Sequence, residues 1–172
     1  MSTPDHPAVS SRPAVSSHKN GLRWLWLAAV VLLLDQASKL AVLASLAPYQ
    51  DVVTLTPFFN LVHVHNPGAA FSFLADQGGW QRFFFIGLTV VVAAVILRLL
   101  HKAAGRPLFC GALALVLGGA LGNLIDRLAY GHVIDFLDLH AGGWHWPAFN
   151  VADAAISVGV ALLILDGLRR PS

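Results

Sequence analysis

The 172 residues are 56% hydrophobic and only 12% charged, and every acidic residue is an aspartate. That balance excludes an ordinary water-soluble domain, whose surface needs far more charge. The basic balance, with a pI near 9.0, does not point to nucleic acid, because the lysines and arginines form no stripe interleaved with aromatic residues. A single cysteine, Cys110, excludes an intrachain disulfide and reads as a buried helix residue.

Residues 1–21 are rich in Ser, Pro and Ala, bury too little apolar surface to fold alone, and predict a disordered cytoplasmic tail. From 22 to 47 runs the first apolar stretch, long enough to cross a bilayer and interrupted late by Asp35, Gln36, Ser38 and Lys39. A cleavable secretory signal is the competing reading, since Ser45-Leu46-Ala47 resembles a cleavage site. The run is too long for such a signal, Asp35 and Lys39 fall where one stays neutral, and Pro48 would follow the cut. Residues 48–82 form the next loop, in which 51–55 and 58–64 mix β-branched and aromatic residues with turn formers and predict short strands.

The second span is predicted at 83–100 and the third at 108–128, where Gly118, Gly119 and Gly122 permit close helix contact. A loop rich in His and Trp follows at 129–149, and the fourth span runs over 150–165. The expected fold is therefore an all-α membrane protein: four transmembrane helices in one domain, 22–168, with a small β-sheet element in the exoplasmic loop between the first two.

Cytoplasmic loops carry the excess of Lys and Arg. Arg12, Lys19, Arg23, Arg98, Lys102, Arg106, Arg169 and Arg170 fall at one face of this arrangement, against Lys39, Arg82 and Arg127 at the other. Both termini are thus expected in the cytoplasm. The aspartates show the reverse split, with Asp5 and Asp166 inside and Asp35, Asp51, Asp76, Asp126, Asp135, Asp138 and Asp153 on the exoplasmic side. Trp80, Trp144 and Trp146 suit the outer interface.

An ionisable side chain within a span costs at least about 2.5 kcal/mol at mid-bilayer and so calls for a partner or a function. Asp35 and Lys39 stand four apart on one helix face, and ion pairing alone accounts for them. Asp126 and Arg127 are adjacent, so they point in different directions and each is expected to meet another helix. Asp135, in the run Val133-Ile134-Asp135-Phe136-Leu137, and Asp153, in Asn150-Val151-Ala152-Asp153, have no local cation. Two such carboxylates in a low dielectric share a proton. That is the requirement of an aspartic protease: one ionised carboxylate activates water and the protonated one donates to the scissile carbonyl.

Three rival chemistries draw on the same residues. His63 and His65, with His132, His140 and His145, raise a zinc site, but there is no H-E-x-x-H helix and no glutamate to act as base. A serine mechanism lacks a G-x-S-x-G setting around Ser38 or Ser157. A small transporter or channel subunit relaying protons through intramembrane aspartates is the rival from another class, though broken helices and paired repeats are missing.

Five blocks carry a resemblance. They are Asp35-Gln36-Ala37-Ser38-Lys39, Asn66-Pro67-Gly68-Ala69-Ala70-Phe71, the run from Gly118 through Asn123 to Asp126-Arg127, Val133-Ile134-Asp135-Phe136, and Phe149-Asn150-Val151-Ala152-Asp153. In this order the chain resembles the bacterial lipoprotein signal peptidases, or signal peptidase II, from Leu22 to Leu165. The resemblance implies an aspartic endopeptidase of the bacterial inner membrane that cleaves prolipoproteins just before a diacylglyceryl-modified cysteine. It also implies Asp135 and Asp153 as the catalytic pair. Its substrates would be lipid-bearing chains that enter laterally from the membrane. No cofactor, metal or nucleic acid is implied, and a monomer is expected. Asn66, Asn123 and Asn150 are amides able to orient the pair or hold a substrate backbone, and Gly68 leaves room for a peptide. Asp35 with Lys39, and Asp126 with Arg127, would be supports around the pair, while Asp51, Asp76 and Asp138 read as ordinary loop charges.

Overall fold

The computed structural model describes residues 21–68, 79–103 and 105–169. The predicted tail, Asp76 and the Ala69-Ala70-Phe71 part of the second block lie outside the described residues. Apolar runs of spanning length become helices: α1 (Leu25–Ser45) after a single 3₁₀ turn at Gly21–Trp24, α2 (Trp80–Lys102), α3 (Pro107–Ala129) and α4 (Val151–Leu168). All four are long and apolar enough to cross a membrane, and this is a multi-pass membrane protein. Pro107 at the first turn of α3 removes an amide that would have no partner there, which starts that helix cleanly.

α3 lies at the centre, and its small residues explain why. A Cβ on Gly118 would meet the carbonyl of Ala28 at 2.6 Å, and one on Gly119 would strike the carbonyl of Ala152. One face of α3 therefore touches the backbone of α1 and another touches that of α4. Gly159 of α4 returns the contact, with Ala112 and Val116 against it. With no hydrophobic driving force between helices in lipid, such close backbone approach supplies the packing. Leu100, Cys110, Leu113, Leu117 and Ala28 fill the half of the bundle at the Gly21 end. Val42, Ile134 and Phe136 fill the other half.

Four antiparallel strands cover that second end in the order β1 (Val53–Thr56), β2 (Phe59–Asn66), β3 (Val133–Ala141) and β4 (Trp144–His145). The predicted strands of the first loop are present as β1 and β2, and the sheet is larger than the sequence suggests. Its other two strands come from the second loop, and β3 is the longest of all. Pairing of Val64 with Asp135 and of Asn66 with Val133 lays β2 against the residues that follow α3. Asp138 is not an ordinary loop charge: it is buried, accepts from the Asn60 amide at 2.9 Å and contacts His145 Nδ1 at 2.8 Å.

Candidate active site

The sheet end of the bundle gathers the polar residues of the five blocks. Asn150 caps α4. Its side-chain oxygen accepts from the Asp153 amide at 2.9 Å, and its own amide donates to Asp153 Oδ2 at 3.3 Å. This capping box satisfies two orphan donors and locks Asp153 into the first turn. The Asn150 side-chain nitrogen turns the other way and donates to Asp135 Oδ1 at 2.7 Å. One asparagine thus touches both members of the candidate pair.

Each aspartate has one further amide. Asn66 of β2 donates to Asp135 Oδ2 at 3.0 Å, and Asn123 of α3 donates to Asp153 Oδ1 at 2.8 Å. Asp135 is 2% exposed. Burial, and then the neighbouring charge of Asp153, push its carboxyl up to about 7 against the pull of the Asn66 and Asn150 amides. Among the described residues no lysine or arginine forms an ion pair with Asp135, so it exchanges protons near neutrality as a general acid should.

Beneath the pair lies an ionic staple. Lys39 Nζ, 2% exposed, sits 2.8 Å from Asp35 Oδ2, 2.8 Å from Asp126 Oδ2 and 3.0 Å from the side-chain oxygen of Asn123. The remaining oxygens reach outward. Asp35 Oδ1 accepts from the backbone amide of Ala152 at 2.9 Å, and Asp126 Oδ2 also accepts from that of Ile134 at 3.1 Å. Ala152 and Ile134 directly precede Asp153 and Asp135, so one lysine and two carboxylates grip the backbone beside each member of the pair.

Asp126 does not partner Arg127. Neighbours on a helix point about 100° apart, and Arg127 instead donates to the carbonyls of Gly68 at 2.8 Å and Asn123 at 3.3 Å, with its guanidinium 4.8 Å from the Phe85 ring centre. Gly68 is held a second time, its amide donating to the Asn66 side chain at 3.0 Å. Gln36 was not among the sequence candidates and belongs to the staple, donating to Asp126 Oδ1 at 3.0 Å and to Asp35 Oδ2 and the Gly122 carbonyl at 3.2 Å each. An amide placed within an apolar span was the signal for it.

The histidines gather elsewhere. His63 and His65 on β2 bring their Nε2 atoms within 3.1 Å, and His65 stacks on His132 at 3.9 Å. Burial first, and then the neighbouring imidazoles, hold His65 and His132 below the ordinary histidine value. Among the described residues, no three His, Cys or Asp side chains converge to hold a metal ion.

A cavity of about 520 Å³ opens beside the pair. Asp153, Asn66, Gly68, Asn123 and Arg127 supply its polar end. Ala154, Ile156, Ser157 and Val158 of α4 line it at membrane depth, and Leu139, Trp146, Pro147 and Phe149 line it at the sheet. Of the two candidate aspartates, Asp153 lines this cavity and Asp135 does not.

The family model described as Signal peptidase (SPase) II matches residues 27–169. The lipoprotein signal peptidase of Janthinobacterium sp. (strain Marseille) is 56% identical over 162 residues, covering 94% of this chain and 98% of that protein. That of Paraburkholderia phytofirmans is 61% identical over 147 residues, covering 86% and 85%. Among solved structures, a bacterial membrane enzyme determined by the in meso method at 1.9 Å superposes with a TM-score of 0.77 at 30% identity, over 90% of this chain and 99% of the other.

Proposed function

The chain belongs to the signal peptidase II family, and we propose that it cleaves its substrate as an aspartic endopeptidase with Asp135 and Asp153 as the catalytic pair. As a member of that family it is a membrane peptidase acting on prolipoproteins. The observation that carries the aspartic mechanism is the shared amide of Asn150, which binds Asp135 and caps the turn holding Asp153. Two carboxylates fixed by one side chain, and gripped through the backbone by one staple, stay at a constant separation. In such a pair the ionised partner accepts a proton from water as that water attacks the scissile carbonyl. The protonated partner donates to the carbonyl oxygen, and the proton then passes to the leaving amine.

Substrate positioning falls to the polar end of the cavity. Asn66 and Arg127 hold Gly68 from two sides, so the backbone at Gly68 is presented beside Asp135 as an edge for an extended chain. The apolar wall from Ala154 to Val158 suits the signal segment, and the cleaved bond precedes the diacylglyceryl-modified cysteine, whose acyl chains stay in the bilayer. No soluble access channel is needed.

Asp135→Asn and Asp153→Asn, purified in detergent, are each expected to lower cleavage of a diacylglyceryl proprotein by about a thousandfold or more. Both keep the wild-type elution volume and a cooperative thermal transition. Substantial cleavage by either folded variant would remove the pair from the mechanism.

A further inference from the structure

The two aspartates are not equivalent, and the difference lies in what stands behind their amide donors. Asp135 sits in β3 and, among the described residues, receives the neutral side-chain amides of Asn66 and Asn150. Asp153 sits in the first turn of α4, where the helix dipole favours a negative charge and the backbone amide of Asn150 donates to its Oδ2 at 3.3 Å. Its other donor, Asn123, is itself polarised: the Asn123 oxygen lies 3.0 Å from Lys39 Nζ while the Asn123 nitrogen donates to Asp153 at 2.8 Å. An ammonium on the oxygen of an amide draws electron density from its nitrogen and strengthens the bond that nitrogen donates.

On the premise that Asp135 and Asp153 are the catalytic pair, we propose that Lys39 is a positioning residue which, through Asn123, fixes the negative charge of the pair on Asp153 and leaves the shared proton on Asp135. Asp153 is then the base that activates water and Asp135 the acid that donates to the carbonyl.

The other charged groups around the pair are consistent with this division. Asp35 of α1 and Asp126 of α3 are neutralised in part by Lys39 and by the backbone amides of Ala152 and Ile134. Arg127 of α3 lines the same cavity as Asp153. His65 of β2 and His132 stack on each other and are held below the ordinary histidine value by burial and by their neighbouring imidazoles. The value of about 7 for Asp135 agrees with a proton held there.

Infrared absorption of the protonated carboxyl group, measured on full-length protein at about pH 6, where an unperturbed aspartate is ionised, separates the two aspartates. A buried carboxylic acid band is expected in the wild type, is expected to persist in weakened form in Asp153→Asn, where the charge that helps to raise Asp135 is gone, and is expected to be lost in Asp135→Asn. Any other distribution of the band overturns the assignment, even when both variants are inactive and the catalytic pair itself stands. The role of Lys39 is read from the pH profile of kcat/KM. In Lys39→Gln the acidic limb, which reports the base, is expected to move up by about one unit. The basic limb, which reports Asp135 and on which Lys39 has the smallest influence of the groups around it, is expected to move the same way by less. Asn123→Ala breaks the same relay while leaving Lys39 with Asp35 and Asp126, and is expected to shift the same limb in the same direction. A profile that falls in both variants without moving its acidic limb would make Lys39 purely structural and overturn the relay.

Discussion

The residue that departs furthest from its solution chemistry is Asp135. Its carboxyl binds a proton up to about pH 7 in the fold and only to about 3.8 outside it. The folded state therefore holds more protons than the unfolded state between those values, and stability falls as pH rises through that window. Above pH 7 the buried charge is fully present and its cost is constant. Asparagine in the same place carries no charge and, like the protonated carboxyl, offers one good acceptor oxygen to the Asn66 and Asn150 amides, so it removes the penalty of the charge. Asp135→Asn is thus expected to match the wild type in thermal unfolding near pH 4 and to exceed it at pH 8, by a few kcal/mol at most. Melting curves at the two pH values check this, and a variant less stable than wild type at pH 8 would mean that the charge is better solvated than its burial implies. Under the proposed mechanism, function at this position is maintained against stability, as is usual where a catalytic group must hold a proton near neutrality.

At the scale of the elements, α3 carries the architecture because its glycines let α1 and α4 approach backbone to backbone. A methyl at Gly119 would meet the Ala152 carbonyl and Ile156 Cγ1 at the turn that holds Asp153. Gly119→Ala is expected to cost about 1–3 kcal/mol and to reduce cleavage by displacing α4. Gly87→Ala on α2, where nothing lies within 4 Å, is expected to be neutral or slightly stabilising. Thermal stability and activity of the two variants side by side test whether the glycines act through contact. The helices were legible because a spanning segment must be long and apolar, and each predicted span falls within three residues of a helix end. β3 was not legible. Val133 to Phe136 are buried on both faces, so the period-two alternation that marks a half-exposed strand is absent. Its partner β2 lies some seventy residues earlier, beyond any local pattern. The partners of Asp126 were hidden for the same reason: Lys39 and the Ile134 amide lie on other elements, whereas Arg127 is next in sequence and faces elsewhere. Asp135 and Asp153 stood out by having no local cation, a property of sequence neighbours that does not depend on the tertiary pairing.

For the whole molecule, one end of the bundle is built for binding charge and the other for chemistry. Arg106 pairs with Asp166 where α3 begins and α4 ends, and Gly21 packs against Leu100 and Cys110 at the same end. Arg23, Arg98, Lys102 and Arg169 belong to that end by their place on the helices. The staple, the proposed catalytic pair and the sheet occupy the other. Basic residues are retained on the cytoplasmic side of a membrane, and we propose on that ground that the candidate pair faces the exoplasmic side, where the cleavage site of an exported chain emerges. Cys110 makes this testable in the native protein, because it is the only cysteine, is 1% exposed, and donates its thiol to the Ala103 carbonyl. It contributes little background to labelling. A membrane-impermeant maleimide added to intact spheroplasts is expected to modify Gln50→Cys, beyond the end of α1 near the sheet. Lys102→Cys, at the end of α2, is expected to react only after permeabilisation. Both positions are exposed, so a failure to react reflects the side of the membrane rather than burial. The reverse pattern would place the carboxylates on the cytoplasmic side, where a prolipoprotein's cleavage site could not reach them after export.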